Sequence, residues 1–357
     1  MRKNLLSIFC TAIAAMFSLG VYADRESDVG LLKLGVSVTT DTMAPATKAP
    51  TDIKIGFIVK NPEESWFYQR EWAFADKCAQ DKGFKLIKIG APTGEQVLSA
   101  IDNLNTMGAQ GLIICSPDVK LGPAIKAKAD AGGLKIISVD DRFILADGQA
   151  MKDIPYVGIA AKTIGTIVGK ALSGEMKKRG WDMKDTGLLA ITYKELGTAR
   201  DRVSGAEDAV VGELKFPVEQ IFEVSQKTAG SPGGFDAANV ALTKNQNIKH
   251  WLVCGINDET VIGAVRALES KKYDAKDIIA IGVNGDSAAI SEFKKAKTTG
   301  FHASVLLNAK KHGYMTTEMM YNWISKNEKP KLETFTDGIL IDRTNYKNLL
   351  KEQGVTD

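Results

Sequence analysis

Charged and amide side chains follow the ends of several apolar runs along the chain, and an aromatic pair stands beside the first of them. Lys60 comes directly after the strand-like run 53–59, and Glu64, Trp66 and Phe67 follow within the next seven residues. Each hydroxyl of a monosaccharide both donates and accepts hydrogen bonds, so a sugar site needs carboxylates beside cationic and amide donors. The apolar face of a sugar ring also packs on an aromatic plate. This segment fits a site for a small sugar, and it fits equally a core tryptophan beside a solvated pair of charges.

Further polar side chains lie at the ends of later apolar runs, where parallel strands would bring them to one edge of a sheet. They are Asp140, Asp141, Arg202, Asn257, Asp258, Asn284 and Asp286. Taken singly, each has a structural interpretation, such as a solvated loop acid, a helix cap, a turn or an exposed arginine. Taken together, they supply the hydrogen-bond acceptors and donors that a monosaccharide requires. We therefore predict that they contribute to a common site.

The sequence lacks the motifs that would indicate covalent, metal-assisted or nucleotide-dependent chemistry. The segment 165–171 has three residues between its glycines where a phosphate-binding loop needs four, and it lacks the hydroxyl that should follow. The first strand-to-helix turn is not glycine-rich, so it offers no seat for a pyrophosphate. The three histidines, His250, His302 and His312, lack metal-ligand spacing, and we interpret them as structural. We predict no catalytic residue, no cofactor and no metal.

From residue 53 onward, short β-branched apolar runs alternate with amphipathic stretches, a pattern typical of parallel sheets covered by helices on both faces. The count of about ten strands favours two α/β lobes, each with a doubly wound parallel sheet, divided near Ile159. An eightfold barrel has the same rhythm and is the alternative fold. The predicted first helix covers 64–82, and the predicted strands cover 53–59, 84–89, 111–115, 135–139, 187–192, 220–224, 250–256, 278–283 and 301–307.

The N-terminus has the organisation of a secretory signal peptide. Arg2 and Lys3 precede an uncharged stretch that runs to Val21, and a small-residue cleavage site ends at Ala23. We predict cleavage after Ala23 and export to the periplasm. A membrane anchor is the alternative, but the apolar core is shorter than the roughly 20 residues that a span needs. We interpret residues 24–51 as a flexible leader.

Charge and cysteine usage fit an exported, soluble protein. Removal of residues 1–23 lowers the formal net charge from +3 by the two charges of Arg2 and Lys3, which leaves no basic excess to attract nucleic acid. Cys78, Cys115 and Cys254 remain, each inside a predicted helix or strand. We expect three buried free thiols rather than one disulfide and an unpaired cysteine.

The chain resembles the type I periplasmic binding proteins, and within that family the receptors for L-arabinose. The resemblance implies two lobes joined by a multi-strand hinge that closes around a sugar. It implies delivery of the sugar to the membrane permease of an ABC importer, a monomeric state and no chemistry on the ligand. It spans roughly residues 53–350 and rests on segments 54–60, 62–64, 66–67, 75–77, 139–141, 178–182, 190–192, 234–239, 249–253 and 320–323. The implied lobes are 52–159 with 310–340, and 160–309 with 341–357.

The resemblance also implies the ligand, L-arabinose, with D-galactose and D-fucose accepted as well. It assigns direct hydrogen bonds to the sugar to Lys60, Glu64, Asp141, Arg202, Asn257 and Asn284. It assigns the aromatic wall to Trp66 and Phe67, a position near the sugar to Cys115, and neighbouring polar positions to Asp140 and Thr198.

Three alternatives stay open beside that function. A receptor for xylose, ribose or glucose would use the same kind of site. A glycoside-processing enzyme would use Glu64 and Asp141 as its acid pair. A sugar-responsive transcription regulator with the same lobes would need a helix-turn-helix before residue 53, where the predicted signal peptide lies.

The sequence departs from the family pattern at three places. Ile159 and Ile256 stand where the family has methionines in the pocket, which bears on the preference for the ring substituent. The segment 284–287 contains one residue more than the family pattern. The resemblance pairs Asp286 with the family's ligand-binding aspartate across that insertion. The segment 307–309 lacks the prolines typical of that interdomain strand, which implies a hinge of different stiffness.

Overall fold

The computed structural model describes residues 52–63, 65–228 and 230–354, in which strands and helices alternate as the sequence predicts. The strands are β1 (Lys54–Val59), β2 (Lys85–Gly90), β3 (Gly111–Ile114), β4 (Lys135–Asp140), β5 (Tyr156–Ile159), β6 (Thr186–Thr192), β7 (Ile221–Ser225), β8 (His250–Gly255), β9 (Ile278–Asn284), β10 (Phe301–Leu307), β11 (Glu333–Thr336) and β12 (Gly338–Asp342). The helices are α1 (Trp66–Lys82), α2 (Gly94–Thr106), α3 (Gly122–Ala131), α4 (Ala161–Arg179), α5 (Gly197–Leu214), α6 (Ser231–Lys244), α7 (Asp258–Ser270), α8 (Ser287–Lys294), α9 (Thr316–Lys326) and α10 (Tyr346–Glu352). A π-helical segment, Lys311–Met315, leads directly into α9.

These strands form two six-stranded sheets. The first has the order β11-β5-β4-β3-β1-β2, and all of its neighbouring strands are parallel. The second has the order β12-β10-β9-β8-β6-β7 and is parallel except for the antiparallel pair of β10 and β12. Two separate open sheets confirm the predicted two-lobed α/β fold, and they show that the alternative of an eightfold barrel is wrong.

The sequence does not predict three of the strands, β5, β11 and β12. β5 has four residues, all buried, so it shows neither the length nor the alternation of a typical strand. β11 and β12 lie at the edges of their sheets; β11 contains three polar residues, and β12 leaves Ile339 exposed. Their pairing depends on the strands beside them rather than on a local pattern of apolar residues.

The chain passes between the two sheets three times. The passages lie at Ala160 between β5 and α4, at 308–310 after β10, and at Asp337 between β11 and β12, and we call them the crossing segments. The boundary predicted after residue 340 falls inside β12, which pairs with the second sheet from Gly338 onward, so the third crossing lies at Asp337 instead.

In the second lobe, α4 and α5 lie in close contact because glycines remove the side chains between them. A Cβ atom at Gly165 would lie 1.9 Å from the carbonyl oxygen of Arg202, and one at Gly205 would lie 2.3 Å from that of Lys162. Hydrogen is therefore the only side chain that fits at these positions. This contact holds the first turns of α5, which carry Thr198 and Arg202, against the rest of the lobe.

All three cysteines within the described residues, Cys78, Cys115 and Cys254, are buried and free, which confirms the prediction. Among the helices of the described ranges, none combines the length and the apolar character needed to cross a membrane. The predicted signal peptide and the predicted leader, residues 1–51, lie outside the described residues.

Candidate functional site

A cavity of about 280 Å³ lies between the two lobes, at the carboxyl ends of the strands, and we call it the inner cavity. Both sheets contribute to its wall, so a ligand inside it would contact both lobes. The wall brings together nine of the residues that the sequence singles out: Lys60, Phe67, Asp140, Asp141, Thr198, Arg202, Ile256, Asn257 and Asn284.

Lys60 and Asp141 form an ion pair in this wall, with 2.6 Å between Nζ and Oδ2. Asp141 is only 5% exposed, and burial raises the pKa of its carboxyl group while Lys60 opposes that change. Burial also acts against the charge of Lys60, but Cys115, Asp141 and Asp140 outweigh it and raise the pKa of the ammonium group. Because the two groups are in direct contact, we treat both as charged.

Tyr68 and Cys115 surround the neighbouring carboxylate of Asp140. The Tyr68 hydroxyl donates to Asp140 Oδ2 at 3.1 Å and lies 3.5 Å from Cys115 Sγ. Cys115 Sγ lies 3.7 Å from the same oxygen. Burial raises the pKa of both the phenol and the thiol well above their usual values, so both are neutral at neutral pH. They hold the Asp140 carboxylate in place beside the ion pair.

The ligand atoms of Cys115, Asp140 and Asp141 lie within 4.8 Å of one another, a spacing that a metal ion would accept. One feature favours hydrogen bonding to a polar ligand instead, because the Lys60 ammonium group already supplies a positive charge to Asp141 at 2.6 Å.

Arg202 and Asn257 face the inner cavity from the second lobe. Arg202 Nη1 donates to the carbonyl oxygen of Ile256, and the buried Nε has no hydrogen-bond partner among the described residues. Burial lowers the pKa of Arg202, but an arginine stays charged at neutral pH. Asn257 caps α7 by accepting from the Thr260 N–H at 2.9 Å, so its side-chain nitrogen is the group that can donate to a ligand.

The backbone is in unusual conformations at two strand ends that line the cavity. Asp140 ends β4 with φ of 68°, and Asn284 ends β9 with φ of 122°. Residues other than glycine rarely adopt positive φ, and such residues cluster at functional sites. The positive φ at Asp140 and Asn284 therefore indicates that the fold fixes the direction of these two side chains.

Asp258 holds the loop that follows Asn284. Its Oδ1 accepts from the Ser304 hydroxyl at 2.5 Å, and its Oδ2 accepts from the backbone N–H of Asp286 at 3.0 Å. Asp258 is fully buried, and burial raises the pKa of its carboxyl group well above the usual value. Asp258 therefore acts behind the cavity, as a support for Asn284.

Four other predicted residues lie outside the wall of the inner cavity. Cys115 lies behind it, against Asp140. Ile159 lines a neighbouring cavity of about 670 Å³ that shares Asp141 and Thr198 with the inner one.

Trp66 and Asp286 are the other two. Trp66 is half-buried and stacks with Arg70, whose guanidinium carbon lies 3.2 Å from the ring centroid. Asp286 caps α8, since its Oδ1 accepts from the backbone N–H groups of Ala288 and Ala289 at 2.9 and 3.1 Å. Glu64, the remaining predicted residue, lies outside the described residues.

Sequence reasoning missed several residues of the inner cavity wall. Tyr68 is the most informative of them, because its hydroxyl group contacts Asp140. A signal was available, since Tyr68 directly follows the aromatic pair and stands in the first turn of α1. The missed residues are Ser65, Tyr68, Leu196, Ala199 and Leu307.

A family model described as periplasmic binding proteins and sugar binding domain of LacI family matches residues 52–349. The chain is 49% identical over 305 residues to the L-arabinose-binding periplasmic protein of Escherichia coli K12, a match that covers 85% of this chain and 92% of that protein. It is 42% identical over 313 residues to the ABC transporter L-arabinose-binding periplasmic protein of Azospirillum brasilense, covering 88% of this chain and 93% of the relative.

Solved structures with the same fold include two sugar-bound solute-binding proteins. One, from Actinobacillus succinogenes with bound D-allose, has a TM-score of 0.68 at 23% identity and covers 83% of this chain and 99% of its own. The other, from Agrobacterium radiobacter in complex with D-arabinose, has a TM-score of 0.66 at 21% identity and covers 85% of this chain and 99% of its own. At these identities the likeness concerns the fold alone.

Proposed function

Because this chain belongs to the family of periplasmic binding proteins and LacI-type sugar-binding domains, we propose that it is a receptor that captures L-arabinose. The observation that carries the proposal is the closeness of the two lobes at the inner cavity, where Thr198 Oγ1 lies 3.4 Å from Asp141 Oδ1. A sugar seated there touches both lobes. It therefore binds tightly only when they are closed, and it shifts the population toward the closed state.

In the proposed complex, the sugar hydroxyls replace water as partners of the fixed polar groups. Asp141 accepts, Lys60 and Arg202 donate, and the amides of Asn257 and Asn284 complete the set. The unpartnered Nε of Arg202 gains an acceptor, which removes the cost of a buried donor without a hydrogen bond. Phe67 supplies an apolar surface for the sugar ring. Glu64, Trp66, Cys115, Asp140, Thr198, Ile159, Ile256 and Asp286 complete the proposed site.

The identity of the sugar rests on the relatives. Two proteins that are 49% and 42% identical to this chain over the matched residues carry L-arabinose in their names. D-galactose and D-fucose are the next ligands that we propose, and other pentoses and hexoses are alternatives. The receptor performs no chemistry on the ligand.

We further propose that the protein is exported, is cleaved after Ala23 and works in the periplasm as a monomer. It then delivers its sugar to the membrane permease of an ABC importer. The names of the two relatives, both periplasmic and one assigned to an ABC transporter, support this setting.

Titration calorimetry with L-arabinose, D-galactose, D-fucose, D-xylose, D-ribose and D-glucose tests the proposal. We expect L-arabinose to bind most tightly, with a Kd of about 1 µM or below, which corresponds to about −8 kcal/mol or better. If no sugar binds more tightly than about 1 mM, the proposed function is wrong. Incubation with aryl glycosides is the companion assay, and turnover above the uncatalysed rate would contradict the absence of chemistry.

A further inference from the structure

Asp140 lies at the centre of a tight turn that ends β4 at the wall of the inner cavity. The Asp141 N–H donates to the carbonyl oxygen of Val139 at 2.8 Å, a hydrogen bond between residues two apart, and the φ of Asp140 is 68°. A γ-turn with positive φ at its central residue is rare and strained. We call residues 139–141 the γ-turn. Such strain persists only where the surrounding structure holds the backbone in place.

Tyr156 holds the γ-turn from the neighbouring strand β5. Its hydroxyl donates to the carbonyl oxygen of Asp140 at 2.8 Å. Burial raises the pKa of this phenol, so the hydroxyl keeps its proton at neutral pH and stays a donor. The N–H of the same peptide unit, which belongs to Asp141, donates to Val139. Because a peptide unit is planar, hydrogen bonds at both its carbonyl and its N–H fix its orientation.

The ring of Tyr156 is itself fixed by its neighbours. Tyr156 is only 4% exposed. The guanidinium carbon of Arg142 lies 4.9 Å from its ring centroid, and the Phe335 ring packs edge-on at 6.0 Å. Gly158, which pairs with Asp140 in the register of β4 and β5, leaves space for the hydroxyl. A Cβ atom at Gly158 would lie 2.0 Å from the hydroxyl oxygen, so no larger residue fits beside it.

The peptide unit that Tyr156 holds leads directly to a side chain of the proposed ligand site. Asp141 Oδ2 lies 2.6 Å from Lys60 Nζ, and Oδ1 lies 3.4 Å from Thr198 Oγ1. A rotation of the peptide unit between Asp140 and Asp141 would move the carboxylate relative to both partners. A binding site needs its polar groups held within about 0.5 Å of the productive position. The orientation of this one peptide unit therefore decides whether Asp141 is in place.

We infer that Tyr156 is a positioning residue for sugar capture, whose hydroxyl holds the γ-turn so that the Asp141 carboxylate faces the ligand and Lys60. The inference rests on the proposed function, since it concerns the site that takes the sugar. Tyr156 lines the neighbouring cavity of about 670 Å³ and not the inner one, so it acts on the sugar through Asp141. Without the hydroxyl the turn relaxes in the sugar-free protein, and binding must restore the strained backbone.

Calorimetry of Tyr156→Phe with L-arabinose is the first test. The substitution removes the hydroxyl and keeps the ring with its packing. We expect the affinity to fall by about five- to fiftyfold, the factor that corresponds to restoring one strained backbone position. An affinity within about twofold of the wild type, the usual uncertainty for independent sites, would overturn the inference.

Tyr273→Phe is the matched control. The Tyr273 hydroxyl donates to the carbonyl oxygen of Ile248 at 2.6 Å, so it makes the same kind of bond. Ile248 precedes β8, at the edge of the second sheet opposite the inner cavity. This variant should lower the free energy of unfolding and leave the sugar affinity unchanged. A loss of affinity as large as that of Tyr156→Phe would contradict a specific role for Tyr156.

A double-mutant cycle with Asp141→Asn separates positioning from a merely structural role. If Tyr156 acts through the Asp141 carboxylate, its hydroxyl has little left to position once that carboxylate is gone. Tyr156→Phe should then weaken the sugar affinity of Asp141→Asn by less than about twofold. A structural effect on the whole lobe would instead multiply the two losses. Full multiplication, or the disappearance of measurable binding in the double variant, would show that Tyr156 does not act through Asp141.

Gly158→Ala tests the same contact without changing Tyr156. The added methyl group displaces the hydroxyl, so the loss of sugar affinity should be at least as large as that of Tyr156→Phe. Gly174→Ala in α4 is its control, because a Cβ atom there has no neighbouring atom within 4 Å, and it should bind normally. Wild-type affinity in Gly158→Ala would contradict the inference. If Gly158→Ala does not fold, the cycle of Tyr156→Phe with Asp141→Asn still decides.

The two proposals fail in different ways. If the wild type binds none of the sugars, the proposed function is wrong and the inference falls with it. If the wild type and Tyr156→Phe bind L-arabinose equally, the receptor function stands and only the role of Tyr156 is wrong.

Discussion

Thr198 Oγ1 lies 3.4 Å from Asp141 Oδ1, and this hydrogen bond joins the first lobe to the second at the wall of the inner cavity. Asp141 follows β4 of the first sheet, whereas Thr198 stands in the first turn of α5, which packs with the second sheet. The same carboxylate contacts Lys60 through its other oxygen. Asp141 is therefore the residue at which the two lobes and the proposed ligand meet.

We expect Thr198→Val to weaken arabinose binding about three- to tenfold, in line with the loss of a single hydrogen bond of about 1 kcal/mol. The valine keeps the shape of the side chain but removes the donor to Asp141. Calorimetry measures the change. Thr243→Val is the control, because Thr243 donates to Asn239 on an exposed part of α6 and should leave the affinity unchanged.

Asp141→Asn should cost far more, on the order of 2 to 5 kcal/mol of binding free energy, because it leaves the Lys60 ammonium group without its charged partner. Asp102→Asn is the matched control. Asp102 pairs with Lys128 at the same distance of 2.6 Å, but their side chains are 58% and 36% exposed. An exposed pair contributes about 0–1 kcal/mol, so this variant should bind sugar normally. Equal effects of the two substitutions would show that Asp141 has no part in binding.

Glu207 should make the protein less stable as pH rises. The pKa of its carboxyl group is raised to about 7 in the folded protein by burial, above its ordinary value of 4.5. The folded state therefore binds more protons than the unfolded state between these values, and stability falls as pH rises through 7. We expect Glu207→Gln to stabilise the protein by about 1 kcal/mol at pH 8, a figure reduced for partial exposure, and to have little effect at pH 4. Thermal or urea unfolding at both pH values measures this difference, and a gain at pH 4 as large as that at pH 8 would contradict it.

The three cysteines of the described residues should resist thiol reagents in the folded protein. Each is buried, and burial raises the pKa of each thiol, so little reactive thiolate is present near neutral pH. With an excess of iodoacetamide at pH 8, mass spectrometry should find Cys78, Cys115 and Cys254 unmodified until denaturant is added. Rapid modification of Cys115 in the sugar-free protein would show that the inner cavity opens more widely than this arrangement implies.

Much of the site can be predicted from the sequence. The carboxyl ends of parallel strands meet at one edge of a sheet, so Lys60, Asp140, Asn257 and Asn284 could be brought together from their positions after apolar runs. Tyr68 was not recognised, although it stands in the first turn of α1. The role of Asp286 as the cap of α8 depends on where that helix begins, which an isolated turn sequence does not reveal.

Local pattern alone determined the α/β class, the two lobes and the chemistry of a polar site, because burial imposes a period on strands and helices that is visible residue by residue. The three crossings and the antiparallel pairing of β12 depended on tertiary structure, since strand order is set by long-range contacts. So did the contact of Glu71 with His312, which are separated by 241 residues along the chain and meet because the chain returns to the first lobe after the second crossing. Their spacing in the sequence carries no signal, and only the packing of the hinge against α1 makes them partners.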